Sequence, residues 1–89
     1  MDIAFDPAKD ASNQSKHGVS LALAAMLDWS AVLAGVDSRR DYRELREIGF
    51  GIIGARLYCV VFTQRGETMH IISLRKANKR EARNYVGQT

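Results

Sequence analysis

Residues 56–76, RLYCVVFTQRGETMHIISLRK, hold two strand-forming runs with a turn signal between them. RLYCVVFT alternates strongly and TMHIISL moderately, both rich in the β-branched and aromatic residues that suit a pleated surface. QRGE, residues 64–67, is a four-residue turn, so the two runs must be antiparallel neighbours. Working upstream, YRELREIGF (42–50) alternates weakly and predicts a further strand, with Gly49, Gly51 and Gly54 marking a bend or hairpin before Arg56. Downstream, the apolar pattern stops after Leu74. Asn78 followed three residues later by Glu81 has the form of a capping box and predicts a helix from about Lys79 to Tyr85.

The first half of the chain reads differently. IAFD, Ile3 to Asp6, is a short strand or an extended lead-in. Asp6 then caps a helix with Pro7 at its first position, where a missing N–H costs nothing. PAKDASNQSKHG runs to Gly18, a left-handed C-cap, and its apolar side is thin, so it belongs on the surface. Ser20 can cap a second helix, LALAAMLDW, which is apolar nearly all round and is the expected main core helix. AVLAG, Ala31 to Gly35, reads as a strand and VDSRRD as a polar loop. The order is two helices, three or four antiparallel strands and one helix. That predicts an α+β fold: one small antiparallel sheet with its helices largely on one face. No internal repeat, low-complexity tract or linker interrupts residues 1–89, which are expected to form one domain.

Composition narrows the function. The apolar share is 46%, with one Pro and seven Gly, as expected of a globular domain. No apolar run approaches the roughly 20 residues of a membrane span. MDIAFDPAKD is acidic and mixed, unlike a secretory leader. The lone Cys59 lies within YCVVF, cannot form an internal disulfide and reads as a buried small hydrophobe in a reducing, cytoplasmic setting. The net charge of +3 hides an asymmetry. Met1 to Gly51 carry six Lys/Arg against eight Asp/Glu, whereas Ile52 to Thr89 carry seven against two. Five of those cations fall between Arg75 and Arg83. A one-sided charge of this kind attracts a polyanion, whether nucleic acid, an acidic protein segment or an anionic surface.

FDPAKDASNQSKHGVS near the amino terminus, Ile48-Gly49, TQRG at 63–66 and IISLRKANKREARNY at the carboxy terminus together resemble the BrnT toxins. The pattern DPxKxxxNxxKHGV is the most specific part, and ISxRKAxxxExxxY is nearly as informative. Phe5 stands where family members often carry Trp, and Leu74 where they often carry Ala. The resemblance implies a RelE-like ribonuclease fold and the toxin role of a type II toxin–antitoxin system, cleaving RNA to stop translation. It also implies a partner encoded next door: a BrnA-type antitoxin with a ribbon-helix-helix DNA-binding fold, in a heterotetramer. DNA would then be contacted only through the antitoxin.

RNA carries its own nucleophile, the 2′-hydroxyl. A ribonuclease without a metal needs one group to accept that proton, one to protonate the leaving 5′-oxygen, and fixed positive charge around the phosphate. Arg suits the third role, and His, Lys or Tyr must move the protons. The catalytic candidates are Arg65 at the hairpin tip, Arg75 at a strand end, His17 and Tyr85. The RNA-binding candidates are Lys16, Lys76, Lys79, Arg80 and Arg83. Simple alternation puts Arg75 on one face with Ser73 and Ile71, and Lys76 on the other with Leu74 and Ile72. Arg80 and Arg83, three apart, can flank one groove. Arg65 and the carboxy-terminal cations are expected to converge on one pocket. Each candidate has a plain structural alternative. Lys16 and His17 can simply neutralise a helix end, worth about 0.3–1 kcal/mol each. The helix cations can form a solvated face, Arg65 can be an ordinary turn residue, and Tyr85 can only pack its ring. His70 reads as a structural strand residue. Two His and one Cys, widely separated, form no zinc pattern, and no nucleotide loop is present, so neither metal nor cofactor is expected. A non-catalytic basic RNA- or protein-binding module, or a degenerate toxin kept as an operon co-repressor, also fits these residues.

Overall fold

Four strands run as an antiparallel meander, and the amino terminus adds a fifth. In the computed structural model, which describes residues 2–39 and 43–88, these are β1 (Asp2–Ala4), β2 (Leu33–Val36), β3 (Glu47–Ile53), β4 (Arg56–Arg65) and β5 (Thr68–Lys76). The helices are α1 (Pro7–His17) and α2 (Lys79–Gln88). The sheet order is β1-β5-β4-β3-β2. The meander follows from the short hairpins. Gly54 and Gly66 hold the first loop positions with φ of 62° and 61°, the left-handed backbone that a tight hairpin needs there. The expected antiparallel sheet is corrected at one edge: β1 pairs parallel with β5, from Asp2↔Thr68 to Ala4↔His70. The predicted start of β3 also moves. Part of it, at Tyr42, lies outside the described residues, and pairing begins only at Glu47.

The predicted core helix is a pair of 3₁₀ segments instead, Leu21–Met26 and Trp29–Ala31, capped by the side chains of Ser20 and Asp28. Leu21, Ala24 and Leu27 are buried, and their spacing of three is the period at which 3₁₀ side chains eclipse. Packing every third residue onto the sheet has outweighed the local preference for an α-helix. The core lies between this segment and one face of the sheet: Leu21, Val60, Ile71 and Leu74 are fully enclosed, with Tyr58, Phe62 and Met69 beside them. Trp29 stands edge-on to Phe62, ring centroids 5.0 Å apart. Gly49 and Gly51 do not form the expected bend; they lie within β3, facing the core. A Cβ at Gly49 would stand 2.7 Å from Val32 Cγ1, and one at Gly51 2.8 Å from Leu27 Cδ2, so a side chain at either place would force those core side chains to shift.

α1 is attached by one buried amide. Asn13 Nδ2 donates to the carbonyls of Val19 and Leu74, both at 2.8 Å, and its Oδ1 accepts from the Leu74 N–H at 3.1 Å. β1 covers β5 only as far as His70, so at Leu74 the strand edge is bare backbone. The Asn13 side chain serves there as a one-residue strand.

Two further corrections concern the faces of the sheet. The helices do not share one side: α2 lies against the face opposite the core, where Tyr85 and Gln88 meet Leu33 and Phe50. β5 also carries an extra residue. Val61 pairs with Ser73 but Phe62 with Ile71, leaving Ile72 unopposed in a β-bulge. Simple alternation therefore fails. Ile71 and Leu74 both enter the core, while Ser73 and Arg75 face the other side, so Arg75 is not on a face with Ile71. Tyr58 to Thr63 are all buried, because α2 and the segment before β3 cover what alternation predicted to be the exposed side.

Candidate functional site

The face beneath α2 is concave. Its centre is a cavity of about 470 Å³ lined by His17, Arg39, Ile48, Phe50, Cys59, Val61, Ser73, Arg75 and Glu81. The bulge aims Arg75 into it, and Cys59, its partner in the register, forms the floor. Burial pushes the Cys59 thiol above its ordinary value, with Arg75 pulling the other way, so it stays protonated at neutral pH.

Arg75 is held in a fixed attitude. Nη1 and Nη2 donate to Glu81 Oε1 and Oε2, both at 2.8 Å, and Nη1 also reaches the Lys76 carbonyl at 3.3 Å. Glu81 Oε1 accepts in addition from the Asn78 N–H at 2.9 Å, and Asn78 Oδ1 accepts from the Glu81 N–H at 2.8 Å, completing the expected capping box. One carboxylate thus starts α2 and orients the guanidinium. Of the five N–H groups of Arg75, the Nε–H and the second Nη2–H have no partner among the described residues. They form the lateral fork, which grips a phosphate without disturbing Glu81. Arg39 is fixed in a similar way: its Nε and Nη2 donate at 2.8 Å to the two oxygens of the buried Asp37.

The Arg75 fork holds the Glu81 carboxyl far below the usual range, at about 2. A depressed carboxylate pKa adds stability above its unfolded value of 4.5 and loses it as the pH falls toward 2. The Arg75 side chain is 35% exposed, so solvent screening reduces the contribution to about 1–2 kcal/mol. Glu81→Gln keeps an acceptor for the Asn78 N–H but not the charge. Wild type is expected to exceed it in stability by that amount at pH 7. Denaturant titrations should show the difference shrinking below pH 4.5 and gone by about pH 2; a difference that does not change with pH would remove the ion pair from the balance.

The sequence candidates do not all gather in one place. His17 and Arg75 line the same cavity. Tyr85, Asn84 and Gln88 line an adjoining one with Leu33, Phe50 and Glu81, and Lys16 lines another on the α1 side. Lys76, Lys79, Arg80 and Arg83 are exposed and outside these cavities. The expected convergence of Arg65 with Arg75 does not occur. Arg65 lies six residues beyond Cys59, the residue paired with Arg75, which at a rise of ~3.3 Å per residue is about 20 Å away. It pairs there with Glu44, Nη2 to Oε1 at 2.6 Å, which holds that exposed carboxyl below its ordinary value.

Lys9, Arg39, Arg46 and Ser73 border the cavities as well, and Glu81 lines the Arg75 cavity besides capping α2. Lys9 was legible, seven residues before Lys16 on one helical stripe. Arg39 was not, because nothing in VDSRRD marks Asp37 as buried. Among the described residues no group of His, Cys, Asp or Glu is arranged as a metal-ligand set, and no helix is long and apolar enough to cross a membrane.

Comparison with curated proteins gives no match. A family model described as "Ribonuclease toxin, BrnT, of type II toxin-antitoxin system" matches residues 5–81. That span includes the capped α1, the whole meander and the Arg75–Glu81 pair. With the DPxKxxxNxxKHGV and ISxRKAxxxExxxY patterns now placed at the α1 anchor and beneath α2, the chain belongs to the BrnT family of ribonuclease toxins, whose type II systems pair each toxin with an antitoxin.

Proposed function

We propose that this chain cleaves RNA by acid–base chemistry without a metal ion, and that Arg75 is the group that holds the scissile phosphate. The observation that carries this is the Glu81-fixed guanidinium, its lateral fork free, in a cavity that His17 also lines. Preorganised charge of this kind needs no reorientation as negative charge builds on the phosphorane oxygens. The 2′-oxygen attacks phosphorus, and the bond to the 5′-oxygen breaks. The proton leaving the 2′-hydroxyl and the proton reaching the 5′-oxygen are balanced by His17 and a second carrier, for which Tyr85 is the candidate in the adjoining cavity. The products are a 2′,3′-cyclic phosphate and a 5′-hydroxyl. Lys16, Lys76, Lys79, Arg80 and Arg83 serve the flanking strand, and Arg65, about 20 Å off by strand rise, has only an outer contact to offer.

The wider role follows the family. The toxin acts in the cytoplasm, its RNA cleavage stops translation, and its fold is a compact relative of RelE. A BrnA-type antitoxin with a ribbon-helix-helix DNA-binding fold neutralises it in a heterotetramer and is the sole route to DNA. Acidic residues and apolar anchors on the antitoxin would complement the basic carboxy-terminal half. The test is purified protein with a single-stranded RNA in excess chelator. Shorter fragments ending in 2′,3′-cyclic phosphate are expected. Binding without fragments, after contaminating nucleases are excluded, would favour the non-catalytic module or co-repressor; cleavage only after a divalent ion is restored would remove the metal-free mechanism.

A further inference from the structure

The Arg75 cavity does not stop at the edge of β5. His17 and Ser73 line it and also line a second concavity, of about 300 Å³, that continues over the strand edge onto α1. Its other walls are Lys9, Ser12, Asn13, Lys16, Arg46 and Ile72. Lys9, Ser12 and Lys16 recur at helical spacing along one stripe of α1, and Arg46 faces them from the segment before β3. Among the described residues no carboxylate lines this concavity. Asp10 accepts from Ser20 and from the Leu21 N–H, and Glu44 holds Arg65. Asn13 fixes the α1 stripe against the β5 edge, so the lysines are presented by an anchored helix.

We infer that this α1 concavity, joined to the Arg75 cavity through His17 and Ser73, is a second phosphate subsite that takes the backbone of single-stranded RNA beside the scissile link. The proposal rests on the ribonuclease reading above and names how the substrate is held. Three strong cations and an imidazole around a shallow trough suit a backbone phosphate, whose charge is diffuse and solvated. With Ile72 as its one large apolar wall among the described residues, the trough offers a peptide little to anchor on. A groove that tracks the backbone while aromatic rings accept bases is the general arrangement for single strands, and Phe50 and Tyr85 lie on the far side of Arg75. The minimal good substrate is then longer than the two nucleotides flanking the cleaved bond.

The test uses 2′-O-methyl oligonucleotides, which cannot be cleaved, so its outcome does not depend on catalysis. Fluorescence anisotropy would compare strands of two and eight nucleotides on the wild type and on Lys9→Ala/Lys16→Ala. Wild type is expected to gain affinity on lengthening. The double variant should lose about tenfold of that gain, and its log K against log salt slope should fall by about 0.7 for each phosphate contact removed. Lys9→Arg/Lys16→Arg should restore both. Equal gain and equal slope in wild type and double variant would overturn the inference even with cleavage intact. An unchanged strand gain combined with a weakened hold on the antitoxin would overturn it too, and would assign this face of α1 to the partner. An intact length effect in a protein that cuts no RNA would instead refute the catalytic reading and leave the subsite standing.

Discussion

Arg75→Ala is expected to lower RNA cleavage by at least about 10²–10³-fold while the protein stays folded. The magnitude follows from removing a fixed donor pair aimed where charge develops, which typically costs that much in other enzymes. The substitution also frees Glu81, whose carboxyl returns toward its ordinary range without the guanidinium. A negative charge then stands unpaired in the cavity and repels the phosphate, adding to the loss. Arg75→Lys separates the two effects, because it keeps the charge but cannot form the lateral fork. It should recover part of the binding and little of the rate. Fragment yield measured beside thermal melts of all three proteins checks this. Full cleavage by a folded Arg75→Ala protein would remove Arg75 from the chemistry and shift attention to Arg39, the other guanidinium of the cavity.

The largest loss of stability is expected at Asn13. Replacement by Ala strands the Leu74 N–H and the carbonyls of Leu74 and Val19 in a buried place, where each unsatisfied group costs about 1–3 kcal/mol. Allowing for partial relaxation, Asn13→Ala should cost about 3–5 kcal/mol against the roughly 5–15 kcal/mol that holds a domain together. For a chain of this size that lowers the melting temperature by about 15–30 °C. Asn13→Asp fares no better. It keeps an oxygen for the Leu74 N–H but turns a carboxylate toward two carbonyl oxygens. Calorimetry on both variants checks the expectation. A shift of only a degree or two would mean that water replaces the amide and that α1 is not tied to the sheet through this residue.

Local signals and distant ones differ in how far they can be read from the chain. Asp6, Gly18, Asn78 and Glu81 act within four residues of their targets, and all four caps form where the sequence puts them. The hairpin at Gly66 is equally local. LALAAM fails as an α-helix because its conformation is set by what it packs on, and propensity carries no knowledge of the sheet below. The parallel pairing of β1 is hidden for the same reason: its partner is some 65 residues away, and three residues carry no signal of direction. At the site, Arg75 and His17 came from residue chemistry joined to family pattern. Arg65 was misplaced because a motif gives order along the chain and no distance across it. Asp37 and Asn13 look like ordinary polar residues in the sequence, and only their burial reveals that one fixes an arginine and the other a helix.

The unopposed Ile72 acts as a frameshift written in space. Upstream of it, even-numbered residues of β5 point away from the core; downstream, odd-numbered ones do. Pairing that residue in an unbulged strand would restore simple alternation and bring Arg75 round to the oily side, whereas deleting it would leave Arg75 opposite Cys59 as it is now. The aim of Arg75 therefore depends on one residue being looped out: with five residues between Met69 and Arg75, a strand without the bulge would set both on one face, a parity that no inspection of individual side chains would disclose.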